Sequence, residues 1–121
     1  MIIGVGTDIV QSSRLQDALE SIKKRAFTQS EISYAESYYD PLPRYAGRWA
    51  AKEAFAKALG TGFGENCGWQ EVEIVNNAQG KPEIKLYGKA LASFEKLGGK
   101  TLHLSISHEK EYANALVIIE N

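Results

Sequence analysis

The tightest constraint on this chain lies in its first ten residues. Residues 2–10 read Ile-Ile-Gly-Val-Gly-Thr-Asp-Ile-Val, a β-branched run that predicts a buried strand. Successive strand side chains point to opposite faces, so Ile3, Val5, Thr7 and Ile9 share one face and Gly4, Gly6 and Asp8 the other. A buried, unpaired carboxylate in such a run is costly. With only Gly4 and Gly6 beside it, Asp8 has nothing bulky over it, which leaves room for a ligand to approach backbone and carboxylate together. The alternative is an Asp that ends the strand and caps the following helix, although Ser13 fits that helix start better.

The rest of the chain reads as an ordered series of short elements. A helix is expected after a Ser13/Gln16 capping box, with Leu15, Ala18, Leu19 and Ile22 at helical spacing and Lys23, Lys24 and Arg25 at its end. Thr28 and Glu31 form a second capping box before a Tyr-rich helix (Tyr34, Tyr38, Tyr39), which the Asp40-Pro41-Leu42-Pro43 run breaks. The longest helical signal spans 44–59 and stops at Gly60. Strands near 70–75 and 83–87 flank a turn-rich connection. A helix over 88–97 points Leu91, Phe94 and Leu97 inward, and strands over 101–107 and 112–120 close the chain. This order makes most sheet neighbours antiparallel and predicts an α+β fold in one domain, 1–121, with a mostly antiparallel sheet against a long central helix and shorter helices. Residues 116–119 of the last strand are apolar on both faces, so it either lies centrally in a monomer or stacks on the same strand of neighbouring subunits.

Charge and cysteine content narrow the function classes. Lys plus Arg number 14 against 15 Asp plus Glu, which argues against general nucleic-acid binding. The single Cys67 removes a disulfide framework and a cysteine zinc site. No apolar run approaches the roughly 18 residues of a membrane span, and no basic leader precedes the first strand, so a cytoplasmic protein is expected.

Two further clusters carry possible chemistry. On the 44–59 helix, Trp49, Glu53 and Lys57 fall on one stripe, with Arg48 and Lys52 on another about 100° away. Mostly alanines surround Glu53, so a ligand or a partner backbone can come close. The plainer reading is a surface helix with a Glu53–Lys57 pair. Ser107 and His108 are adjacent, and adjacent strand residues face opposite ways. With no G-x-S-x-G elbow, His108 reads as an anion-binding or capping residue rather than part of a nucleophile system. Gly99-Lys100-Thr101 lacks the upstream glycine of a phosphate loop, and Gly60-Thr61-Gly62-Phe63-Gly64 follows a helix instead of a strand. That second loop could still offer N–H groups to a phosphate.

Taken in order, Gly4-x-Gly6-Thr7-Asp8-Ile9-Val10, the run from Gly47-Arg48-Trp49-Ala50-Ala51-Lys52-Glu53 through Lys57 to Gly62, Gly80-Lys81-Pro82 and Ser105-Ile106-Ser107-His108 resemble the holo-acyl-carrier-protein synthase family. The resemblance implies a 4′-phosphopantetheinyl transferase fold and transfer of the phosphopantetheine arm of coenzyme A to a serine of apo acyl carrier protein. The products would be holo carrier protein and adenosine 3′,5′-bisphosphate, in service of fatty-acid (lipid) biosynthesis. It further implies Mg²⁺ held by Asp8 and Glu53, a homotrimer with sites between subunits, and no nucleic-acid or membrane partner. Arg48, Lys52, Lys57 and His108 match coenzyme-binding positions, with Gly60, Thr61 and Gly62 nearby; Arg14 matches a carrier-protein contact. Asp8, Glu53 and Lys57 are the expected catalytic set, and the acceptor of the serine proton is Glu53, a metal-bound water or His108. Trp49 stands where Phe is usual and Ala56 where Ser is frequent. Residues 36–44 form a shortened segment containing Pro41 and Pro43.

Overall fold

The computed structural model describes residues 1–121. Strand β1 (Ile2–Gln11) leads into helices α1 (Ser12–Ala26), α2 (Gln29–Glu36) and α3 (Leu42–Leu59). A 3-10 turn at Trp69–Glu71 precedes β2 (Val72–Asn76) and β3 (Pro82–Leu86), then α4 (Gly88–Leu97), β4 (Thr101–His108) and β5 (Tyr112–Glu120). The main sheet is antiparallel in the order β1-β5-β4, and β2-β3 form a separate antiparallel hairpin. The fold is α+β, as the element order predicts.

Helix α3 decides which way the sheet faces. Its Ala50, Ala51, Ala54 and Ala58 are buried with Ala115, Val117 and Ile119 of β5 in one core cluster. A second cluster joins Leu15 and Leu19 of α1 to Phe27, Ala35 and Tyr45. A Cβ added to Gly6 would run into the Ala54 carbonyl, and one added to Gly4 into that of Ala58. The bare face of β1 is therefore filled by the α3 backbone and is not open to a ligand. Val5 and Ile9 on the opposite face are 56% and 66% exposed. Period-two alternation groups residues by face without saying which face is buried; here small residues on both sides let helix and strand touch backbone to backbone.

Other local expectations shift in similar ways. The Ser13/Gln16 capping box does not form: α1 starts at Ser12 directly from β1, with no side-chain cap, and the Ser12 N–H donates to the Glu111 carbonyl at 2.8 Å. The Thr28/Glu31 box is complete. Helix α2 ends at Glu36, leaving Tyr38 and Tyr39 beyond it. Helix α3 starts at Leu42, because Pro43 suits a first turn, and Gly60 closes it at φ 87°. In α4, Ala90 and Phe94 point inward while Leu91 and Leu97 are exposed. No helix is long and apolar enough to cross a membrane.

Candidate active site

Helix α3 crosses the sheet obliquely. Near its start Gly47 lies against Ile106 of β4, where an added Cβ would come within 3.1 Å of Ile106 Cγ2; further along, Ala54 and Ala58 lie against β1. Asp8, Ala115 and Ile106 stand in one cross-strand row, so the two edges are about 10 Å apart at about 5 Å per strand. Two clefts result, one at each edge.

At the β1 edge, the close approach of strand and helix brings Asp8 to the last turn of α3. Lys57 Nζ donates to Asp8 Oδ1 at 3.0 Å. Asp8 is largely sheltered, with 13% of its side chain exposed, whereas Lys57 has 55%. Glu53 is half-buried, and its carboxyl is pushed above its ordinary pKa, first by burial and then by the Asp8 charge, against the pull of Lys57. The expected Glu53–Lys57 pair is not made; the lysine is spent on Asp8. Thr7, Ile9 and Asn114 complete a cleft of about 340 Å³ around Asp8 and Lys57.

Asp8 is close enough for its charge to act on Glu53, and no third His, Cys, Asp or Glu gathers with them. Two carboxylates without sulfur or imidazole form a hard, oxygen-only donor set. That suits a cation such as Mg²⁺, which binds through one or two carboxylates and keeps its other positions for water and substrate oxygens.

At the β4 edge, Arg48, His108, Arg44, Tyr34, Asn76 and Gly80 are among the residues lining a second cleft of about 190 Å³. Arg48 is buried beneath it, with its guanidinium 4.1 Å from the Tyr34 ring centre, and its Nε has no hydrogen-bond partner. Burial works against its charge and lowers its pKa, opposed by Tyr34 and Glu31. Sequence reading picked out Arg48 and His108 here but missed Arg44, Tyr34 and Asn76. Arg44 lies one helical turn before Arg48, so the i, i+4 spacing was a usable signal; Tyr34 and Asn76 arrive only through tertiary packing.

Lys52 belongs to neither cleft, which corrects its expected contact with the coenzyme. It is fully buried, pairing with Glu31 at 2.9 Å and donating to the carbonyls of Trp69 at 2.9 Å and Val72 at 2.5 Å. Burial lowers its pKa and the Glu31 charge opposes that shift. One residue past Ala51 on the helix, it turns to the interior beside the hairpin instead of to solvent. Trp49 likewise leaves the expected Glu53–Lys57 stripe: it stacks on Trp69 at 4.3 Å, and Trp69 stacks on Phe63 at 3.7 Å. The Gly60 and Gly62 N–H groups both donate to the Ala56 carbonyl, and Gly60 also to that of Lys57, so both are occupied in closing α3. The exposed Thr61 carries no such bond through its N–H. Arg14 is exposed on α1, makes no ion pair, and lines neither cleft.

Comparison with known proteins bears on both clefts. The profile of the 4′-phosphopantetheinyl transferase superfamily matches residues 4–117. A holo-[acyl-carrier-protein] synthase of a Geobacter species is 44% identical over 124 residues, covering 99% of each chain. The crystal structure of the Neisseria meningitidis holo-[acyl-carrier-protein] synthase superposes with a TM-score of 0.90 at 34% identity, covering all of both chains. The Bacillus anthracis synthase, solved in complex with CoA (3′,5′-ADP), gives 0.84 at 35% identity, covering 98% of this chain and 96% of that one. Full-length identity and a shared fold, on a chain whose carboxylate pair and basic cleft stand as described, lead to one conclusion: this chain belongs to the holo-acyl-carrier-protein synthase family of the 4′-phosphopantetheinyl transferase superfamily.

Proposed function

We propose that the chain, as one domain over 1–121, moves the 4′-phosphopantetheine arm of coenzyme A to a serine hydroxyl of apo acyl carrier protein. Holo carrier protein and adenosine 3′,5′-bisphosphate are released. The reaction depends on Mg²⁺ and serves fatty-acid (lipid) biosynthesis in the cytoplasm. The observation that carries the reading is the grouping of Asp8, Glu53 and Lys57 at the β1 edge, on a chain with full-length identity to holo-[acyl-carrier-protein] synthases.

The reaction is attack by an alcohol on the β-phosphorus of a diphosphate, so catalysis is mainly alignment and charge neutralisation. Asp8 and Glu53 would hold Mg²⁺, which when bound withdraws charge from the diphosphate as the leaving phosphate develops it. Lys57 supplies a mobile ammonium that can pass from Asp8 to a phosphate oxygen. Glu53 is the candidate to relay the serine proton through a water, since a carboxylate that holds a metal is itself a poor base. His108 lines the Arg48 cleft and also a cleft with Ile9 and Asn114, but it is not among the residues lining the cleft around Asp8 and Lys57.

The separation of the clefts supports a homotrimer. Arg48 and Lys57 are nine residues apart on α3, which places them on opposite sides of the helix and about 13 Å apart along its axis. A coenzyme held by both sets of residues is best served by the β1 edge of one protomer and the β4 edge of its neighbour. Exposed Val5, Ile9, Tyr112 and Leu116 on the outer sheet face are apolar surface that such an assembly covers. Arg14 is free to meet an acidic carrier protein.

Intact-mass analysis of an apo carrier protein incubated with the chain, coenzyme A and Mg²⁺ tests the activity. The expected result is a single phosphopantetheine adduct that disappears under chelation. Coenzyme A binding without an adduct would reduce the protein to a binding module. Light scattering tests assembly: a 13.3 kDa monomer that still transfers refutes the shared cleft.

A further inference from the structure

A third cavity, of about 480 Å³, is larger than either cleft at the candidate active site. It shares only Pro82 with the Arg48 cleft and no residue with the Asp8 cleft. The cavity is a groove between β3 and β4, each of which ends its own sheet. Cα atoms of the two strands come within 8 Å of one another, yet no ladder joins them. Paired strands stand about 4.8 Å apart, and a third strand inserted between two others needs about 9.6 Å. The gap therefore suits a chain narrower than a peptide strand. Its floor is apolar, built from Ile84 and Leu86 of β3, Leu91 and Phe94 of α4, and Leu102 and Leu104 of β4. Helical spacing sends Leu91 inward, whereas the fold leaves it exposed. It lines this groove, and the similarly exposed Leu97 does not.

The charges at the two ends differ. Pro82, at the start of β3, lines the neighbouring cleft with Ile106 and His108 from the end of β4, so the strands run antiparallel and Lys81 and Lys100 stand at opposite ends of the groove. Neither lysine has a carboxylate within salt-bridge distance. Glu83, two residues from Lys81, also lines the groove and offsets that end. At the other end Glu120, opposite Thr101 in the sheet, is engaged by His103, which leaves the Lys100 ammonium uncompensated. An apolar floor of single-chain width with one free cation at its mouth matches an alkyl chain with an anionic head. We propose that the groove binds a long-chain carboxylate, its head at Lys100 and its tail along β4, where Lys100 to Leu104 spans about 13 Å. Strands β3 and β4 also line the Arg48 cleft, so a tail held between them alters the spacing of Pro82 and His108 and weakens coenzyme binding there. A long-chain acid, the kind of product the proposed pathway makes, would thereby restrain the enzyme. The groove stands on its own geometry; the coupling rests on coenzyme A being the substrate.

Calorimetric titration with monomeric sodium laurate tests the site, with butyrate (same head, short chain) and dodecyltrimethylammonium (long chain, opposite charge) as comparisons. Saturable binding of laurate alone is expected. Leu91→Glu puts a like charge on the apolar floor and should weaken laurate about tenfold or more, whereas Leu97→Glu on the same helix should leave it within about twofold. Lys100→Gln should weaken laurate about fivefold, the loss of one charge-assisted contact; it also carries the test if Leu91→Glu does not fold by circular dichroism. Saturating laurate should raise the Kd for coenzyme A about fivefold, and coenzyme A should raise the Kd for laurate by the same factor. No saturable binding of laurate, or equal binding of the cationic amphiphile, overturns the site. Equal effects of Leu91→Glu and Leu97→Glu place the chain elsewhere and overturn it as well. A coenzyme Kd that laurate leaves unchanged overturns the coupling. Protein that binds laurate as expected but never binds coenzyme A upholds the groove and overturns the proposed activity instead.

Discussion

Lys52→Met separates the interior role of this lysine from the coenzyme contact that its spacing suggests. Glu31 has no exposed surface and is held by three donors: Lys52 Nζ at 2.9 Å, the Thr28 N–H at 2.9 Å and the Ile74 N–H at 2.8 Å. Removing the ammonium leaves the carboxylate buried without a countercharge and strips the Trp69 and Val72 carbonyls of a donor. Breaking a buried pair from one side costs about 3–5 kcal/mol, a large share of the roughly 5–15 kcal/mol that stabilises an ordinary domain. At about 2.1 cal/mol/K per residue, 121 residues give a melting entropy near 0.25 kcal/mol/K. The expected fall in Tm is therefore about 12–20 °C, read by scanning calorimetry on the metal-free, ligand-free protein. Adding Glu31→Gln should recover part of the loss, because the amide oxygen still accepts a backbone N–H while the unpaired charge is gone. Coenzyme A affinity of the folded fraction should stay within about twofold. A Tm within about 2 °C of wild type, together with a large loss of coenzyme affinity, would refute the reasoning and return Lys52 to the ligand.

Other substitutions probe the remaining parts. Gly6→Ala puts a methyl into the Ala54 carbonyl and should cost about 3 kcal/mol or abolish folding; chemical denaturation measures it, and a near-neutral result would show that β1 and α3 are not in backbone contact. Glu53→Gln should raise the metal-free Tm by a few degrees, since it removes a desolvated charge next to Asp8, while abolishing both transfer and the rise in Tm expected of wild type on adding Mg²⁺. Asp8→Asn should abolish the same two responses without raising the metal-free Tm, because it breaks the contact with Lys57. Arg14→Glu should raise KM for the carrier protein, most strongly at low salt, and leave KM for coenzyme A unchanged; steady-state kinetics with each substrate varied in turn decides.

Much of the fold was legible because its signals are local. The Thr28/Glu31 box, the glycine stop of α3 and the alternation of β4 each depend on neighbours along the chain. Asp8 and Glu53 stood out for the same reason, as charges in surroundings that leave them unexplained. Lys52 misled because helical spacing gives an angle about the axis but not what lies beyond it; the hairpin and α2 occupy that direction with a carboxylate and two carbonyls.

What the amino-acid sequence determined alone is the set of elements, their order, and which residues share a face, since these follow from backbone geometry and short-range periodicity. Which face is buried was decided by tertiary structure. Gly4 and Gly6 could have opened β1 to a ligand or to a helix, and the alanine side of α3 took the space because small residues on both surfaces allow backbone contact. That same contact carries Asp8 to Lys57 and Glu53 and leaves Arg48 on the far side of the helix. The site thus depends on how closely two elements pack, a distance that no periodicity encodes.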